Sequence, residues 1–265
     1  MHVAIDDSYS SGVATGSQYV TADRRSHVAV FFEDRDVEEV RRNLREWLSV
    51  LGSALGVPLP RFHFADVYNQ REEWENCPGR LNLSLFEGLA EIYRHYRWPV
   101  RIQTVDDRTE RKMRMKGKVE GLDLSKRDQL SLAVLSLVRV KPMLPPAPER
   151  VVMYVDRGLK AAGTPFGKEL FWNLGDRFVG SYEDSAAEPL LQIADFLAFS
   201  INRNTNLAYK SNRSEIDDWF VALVASMEID CQELQRHEMP ANFGGDDVDL
   251  QLWLHTKALE KRSAG

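Results

Sequence analysis

Residues 189 to 200 read PLLQIADFLAFS, an apolar run interrupted by two polar side chains, Gln192 and Asp195. A helix that is apolar on nearly every side belongs in a core, and an unpaired carboxylate there costs several kcal/mol or keeps its proton. Asp195 therefore demands a partner inside the fold. Helix is the expected state because Ser185-Ala-Ala-Glu188 has the S-x-x-E form of a capping box, and Pro189 falls in the first turn, where its missing N–H does no harm. Gln192 and Asp195 then share one face.

Two other carboxylates stand in matching contexts, each closing a short apolar run: Asp6 ends HVAID and Asp156 ends VVMYVD. In a parallel or mixed sheet, ligand-facing groups cluster at the carboxyl ends of strands. Three acids far apart in sequence are thus expected to converge at one sheet edge.

Alternation places a first strand over residues 2 to 6, and strands near 18 to 22 and 27 to 32 would complete a three-stranded meander. Asp36 and Glu39 open a helix carried by Val40, Leu44, Trp47, Leu48 and Leu51 and ended by Gly52. Ser84 with Glu87 caps a second helix, stopped before Pro99, and residues 100 to 105 form a strand leading to Asp106 and Asp107. Ser125 with Asp128 caps a third helix ended by Pro142, after which a Pro-rich connector delivers the strand 151 to 156. A short strand over 177 to 184 feeds the Asp195 helix, and Ser214 with Asp217 caps the last one. Strands first, then helices and strands in alternation, predict an α/β fold with a mixed sheet flanked by helices.

With 265 residues and 43% hydrophobic content the chain has material for one large domain, or one domain with an appendage. A formal charge of −6 argues against a surface built to coat DNA. A nucleic-acid substrate would need a metal or a local basic patch, and RTERKMRMKGK at 108 to 118 is a concentrated basic run. That run either tracks a phosphate backbone or is a solvated loop. Cys77 and Cys231 lack C-x-x-C spacing, which suggests two reduced thiols rather than a zinc site or a disulfide. The start lacks a leader pattern and no stretch approaches about 18 uninterrupted apolar residues, so the expectation is a cytoplasmic protein without membrane contact. Neither a P-loop, a G-x-S-x-G elbow nor an H-E-x-x-H helix is present.

Four places, AIDDSYS (4 to 10), FHFADVYN (62 to 69), VVMYVDRG (151 to 158) and YEDSAAEPLLQIADFLA (182 to 198), resemble the domain-of-unknown-function 3800 family within the ribonuclease H-like fold. The most specific is the pairing of Asp184-Ser185 with Leu191-Gln192-Ile193-Ala194-Asp195. The resemblance implies a ribonuclease H-like domain over residues 1 to 205, with 206 to 265 as a helical C-terminal extension packed on it. It makes Asp6 the acid on the first strand, Asp156 the acid after a later strand and Asp195 the acid on the final helix. Where the family usually has Asp-Glu-Ser, this chain has Asp6-Asp7-Ser8. A fourth acid follows a His in the mid-chain motif, often as Glu; here His63 precedes the shorter Asp66, which acts directly or through a water. A ribonuclease H-like sheet also places a catalytic acid on the strand beside the first, so Asp106 competes with Asp156 for that position; the local sequence favours Asp156.

Carboxylates packed together without Lys or Arg either raise one another's pKa or recruit a divalent cation. Oxygen ligands suit Mg²⁺ or Mn²⁺ better than zinc. The expectation is a metal-dependent nuclease in which Asp6, Asp156 and Asp195 hold the metal and Asp66 assists, cutting RNA, DNA or a hybrid. Asp7, Ser8, His63, Asp184, Ser185 and Gln192 are the expected contacts to substrate or water. Tyr9, Tyr68 and Tyr154 either stack on bases or belong to the core. The rival from another class is a non-catalytic module that keeps the fold for binding, in mobile-element or phage-defence biology.

Overall fold

The computed structural model describes residues 1–10, 17, 20–56, 63–75, 77, 80–108, 110, 116–231, 253 and 257. Strand β1 (His2–Ser10) continues past Asp6, because Ser8 and Ser10 are satisfied from above: Asn202 Nδ2 donates to Ser8 Oγ at 2.9 Å, and Ser10 Oγ donates to Asn206 Oδ1 at 3.2 Å. β2 (Arg24–Phe32) pairs antiparallel with β1, setting Asp6 opposite Val28. β3 (Val100–Asp106) pairs antiparallel with β2. A two-stranded ribbon, β4 (Lys118–Val119) and β5 (Leu122–Asp123), stands apart. β6 (Val151–Asp156) lies parallel beside β1, and β7 (Phe178–Glu183) parallel beside β6. The result is a mixed five-stranded sheet in the order β3-β2-β1-β6-β7.

Period-2 alternation assigns the faces. Ala4, Val28, Val30 and Phe32 look toward helices α1 (Asp34–Leu55), α2 (Phe64–Asn69) and α3 (Leu81–Tyr96), and their core takes in Val40, Leu44, Phe64, Phe86 and Leu89. Val3, Ile5, Ala29, Phe31, Met153 and Val155 look the other way, toward Leu132 and Ala133 of α4 (Arg127–Val134). α4 runs on into a wider, π-type turn over Leu135–Val140. On the first face α5 (Leu190–Ala208) packs along β1 and β2, and α6 (Glu215–Ser226) joins the same core through Phe220, Val221 and Val224. The fold is thus α/β, a mixed sheet flanked by helices. α5 runs unbroken through residue 205. Among the described residues no helix is long and apolar enough to cross a membrane.

Three local expectations are corrected. The third strand of the meander is β3, and residues 20 to 22 of the expected 18 to 22 strand are not in a strand. Gln18 and Tyr19 lie outside the described residues, and Thr21 is committed elsewhere: its carbonyl accepts from Arg24 Nη1 at 2.8 Å and its hydroxyl donates to Asp106 Oδ2 at 3.0 Å. Ser185 and Glu188 do not form a capping box. Residues 184 to 188 turn on Asp184, whose Oδ1 takes the Ala186 N–H at 3.0 Å, and Glu188 is claimed by a charged partner, Arg41, at 2.5 Å. α5 accordingly starts at Leu190, whose N–H donates to Glu188 Oε1 at 3.1 Å. α1, α3 and α4 begin at Asp34, Leu81 and Arg127 and carry no side-chain cap, so the pairs read at Asp36, Ser84 and Ser125 are not caps. The Ser214–Asp217 box does form, with both of its hydrogen bonds.

Candidate functional site

Strand parity places Asp6, Ser8 and Ser10 on the face covered by α5. Because β6 lies beside β1 with Ile5 opposite Val155, Asp6 and Asp156 come to neighbouring strand ends. α5 then lowers Asp195 over them, and the three acids line one cleft of about 1180 Å³ together with Asp7, His63 and Asp66.

Asp6 is 8% exposed and accepts the Asp7 N–H at 2.6 Å. Burial, and then the charges of Asp195, Asp156 and Asp7, push its pKa well above the ordinary carboxylate value, with the Asp7 N–H opposing. Asp156 is raised by burial and by the charges of Asp195 and Asp7, against the Gly158 N–H, which donates to Oδ2 at 3.1 Å. Burial also raises Asp195, although His63 and the Phe64 N–H lower it in part. The partner that Asp195 demands is thus the start of α2: the Phe64 N–H donates to Oδ2 at 3.3 Å, and His63 Nδ1 stands 3.6 Å from the same oxygen. The second distance is that of an ion pair, beyond a good hydrogen bond. Asp195 in turn raises the pKa of His63, ahead of an opposing desolvation.

Among the described residues none of the three acids is ion-paired with Lys or Arg. The nearby arginines are committed elsewhere: Arg25 Nη1 lies 3.5 Å from Asp7 and Arg157 Nη1 lies 2.5 Å from Asp184. Asp7 therefore faces its own arginine, and Asp184 holds the 184 to 188 turn. Ser185 lines the cleft. Gln192 is buried behind that wall, where its Nε2 donates to the Ser185 carbonyl at 2.9 Å, so it supports Ser185. Tyr9 lines the cleft. Tyr68 belongs to an aromatic cluster with Phe86, Phe199 and Phe220, and the Tyr154 hydroxyl accepts from Arg41 at 2.7 Å, so neither ring lines the cleft. β2 separates Asp106 from β1, and Asp106 does not line the cleft; the strand beside the first is the one that carries Asp156. Of the basic run, 109 and 111 to 115 lie outside the described residues.

The structure adds wall residues that the sequence reading passed over: Asn202, Arg203, Asn206 and Lys210. Asn202 and Asn206 are polar positions on the Asp195 face of α5, and extending the helical spacing beyond Ser200 would have found them.

Carboxylate oxygens with uncompensated negative charge are the donor chemistry of a hard divalent cation. In charge and donor type the residues fit one. Among the described residues no three carboxylate, His or Cys ligands are drawn to the spacing of a single coordination shell. In comparisons with known proteins, no family model, no curated protein and no solved structure matches the chain.

Proposed function

We propose that the protein is a metal-dependent nuclease that hydrolyses nucleic-acid phosphodiester bonds, with Mg²⁺ or Mn²⁺ held by Asp6, Asp156 and Asp195 and with Asp66 assisting from α2. The observation that carries this reading is that Asp6, Asp156 and Asp195, from distant elements, line one cleft, where burial first and then the other two carboxylates raise the proton affinity of Asp6. Perturbed acids sharing a cleft are a recurrent mark of function. The sheet order supports a ribonuclease H-like reading, since an antiparallel meander lies on one side of β1 and parallel strands on the other.

Divalent cations, when bound, supply an activated water and neutralise charge on the leaving oxygen. The chain supplies the rest. Asp6, on β1, with Asp156 and Asp195 in the same cleft, concentrates negative charge there. His63, its Nδ1 turned to Asp195, which raises its pKa, leaves Nε2 as the position from which a proton would be given to a leaving oxygen. Asp7 and Asp184 keep Arg25 and Arg157 off the three acids.

The test is metal-dependent cleavage of RNA, DNA and hybrid substrates by the intact protein and by Asp195→Asn. The variant is expected to fold and to lose activity by about 10³-fold or more. Equal cleavage by both proteins, or cleavage that survives a chelator, ends the proposal. The rival reading is a non-catalytic binding module that keeps the fold. Calorimetry without divalent-ion binding, together with nucleic-acid affinity unchanged by Asp6→Asn, selects it.

A further inference from the structure

We propose that the half of the cleft beyond the acids is a channel for one single strand of nucleic acid, gripped between Arg25 on the strand wall and Arg203 and Lys210 on the helix wall. This deepens the nuclease reading and rests on it for the position of the scissile bond.

Cations line the cleft as well as acids. Asp195 stands near the start of α5 and Arg203 eight residues further on, which at the helical rise places them about 12 Å apart along the axis. Lys210 follows just after the helix ends at Ala208. Arg203 and Lys210 thus lie beyond Asp195 on the helix side, while Arg25 and Arg157 line the same cleft beside Asp7 and Asp156, so cations able to hold a polyanion flank the acids.

The walls carry the features that read a strand without reading its sequence. Arg25 lies 3.8 Å over the ring of Tyr9, which is 48% exposed, so a cation and an aromatic face are offered together. On the helix side Arg203 lines the cleft, its guanidinium held 4.7 Å over Tyr68 of the aromatic cluster behind the wall. Asp217 of α6 positions both helix-wall cations, Arg203 Nη2 at 3.1 Å and Lys210 Nζ at 2.5 Å.

The floor between the walls is polar and its orientation is set. Buried Arg24 donates to Asn202 Oδ1 at 3.2 Å and to Asn206 Oδ1 at 2.9 Å. Because an arginine can only donate, both amides must turn their oxygens toward it. Asn202 Nδ2 is used on Ser8, and Asn206 Nδ2 remains the donor available to a phosphate or a base edge. At about 1180 Å³ the cleft exceeds the ~300–1,000 Å³ that encloses a small ligand. That volume has room for a few nucleotides of one strand.

The experiment is fluorescence anisotropy on the intact protein in chelator, with labelled strands of about 12 nucleotides as DNA, as RNA and as the corresponding duplex. Single strands of one or both sugars are expected to bind more tightly than duplex. Arg25→Gln and Lys210→Gln are each expected to weaken single-strand binding about 3- to 10-fold and to lower the salt slope by about one. Arg25→Gln leaves the Asp217 cluster untouched, and a melting curve for each variant separates lost binding from lost folding. Duplex preference, no binding of any strand, or unchanged affinity in folded Arg25→Gln and Lys210→Gln overturns the channel. Cleavage lost in Asp195→Asn while both channel variants bind normally leaves the nuclease standing without the channel; strand binding that obeys the channel variants without any metal-dependent cleavage leaves the channel without the nuclease.

Discussion

Asp217 and Asp6 are both buried carboxylates beside the same cleft, and the chain treats them in opposite ways. Asp217, its side chain 3% exposed, is surrounded by Lys210, Arg203 and the Ser214 backbone and hydroxyl. Burial works against its ionisation, yet Lys210 and Ser214 pull its pKa down to about 2. Asp6 receives one backbone N–H and three neighbouring acids, and is pushed the other way. This fold can therefore neutralise a buried acid where that acid holds structure together. That no Lys or Arg among the described residues does so for Asp6, Asp156 and Asp195 is the contrast on which the proposed metal site rests.

The same substitution at the two sites should have opposite signs. Asp217→Asn strands two cations and weakens a cap, and is expected to destabilise the protein by roughly 2–4 kcal/mol. Asp6→Asn relieves repulsion in a buried site and is expected to raise metal-free stability by about 1–2 kcal/mol near pH 8. Urea unfolding of both variants decides the matter. If Asp6→Asn were as harmful as Asp217→Asn, Asp6 would be a structural acid and the contrast would collapse.

The pH dependence separates the two regions without mutation. Asp6, Asp156 and Asp195 have folded-state pKa values above their unfolded value of 3.8, so the stability they lend is complete below 3.8 and is lost as pH rises through the raised values. Asp217 runs in reverse. It stabilises above 3.8, and its share, roughly 2 kcal/mol, is lost as pH falls toward about 2. The urea midpoint of the metal-free protein is thus expected to fall as pH rises above the ordinary carboxylate range, and Mg²⁺ or Mn²⁺ should reduce that fall by binding the folded state alone. A flat profile there, unchanged by either ion, removes the acid cluster as a site of stored repulsion.

Much of this was legible in the sequence, and the reason lies in which signals are local. Period-2 runs gave β1 and β6, and helical spacing gave α1, α3 and α5. The shared context of Asp6, Asp156 and Asp195 placed them in one cleft because each closes or follows an apolar run that must be buried. What escaped depends on distant partners. Glu188 reads as a cap until Arg41 of α1 arrives to take it, and the choice of β3 over residues 18 to 22 as the third strand rests on register. Asn202 and Asn206 look like ordinary polar helix positions until Arg24, on another element, fixes which way their amides point.

The two S-x-x-[DE] segments sharpen the contrast at its smallest scale. Ser214 accepts the Asp217 N–H at 3.3 Å while Asp217 accepts the Ser214 N–H at 2.9 Å, so the box is closed and braced by the same cations that hold Asp217. Ser185 has the same sequence form but sits in a turn held by Asp184 and Gln192, with its side chain at the cleft wall and α5 starting only at Leu190. Ser214→Ala is therefore expected to cost about 1 kcal/mol. Ser185→Ala should cost less than about 0.5 kcal/mol, because it removes no helix cap. Thermal melts of the two variants measure the difference; equal losses would mean that Ser185 caps α5 in solution and that the turn of residues 184 to 188 is not held as the Asp184 and Gln192 bonds imply.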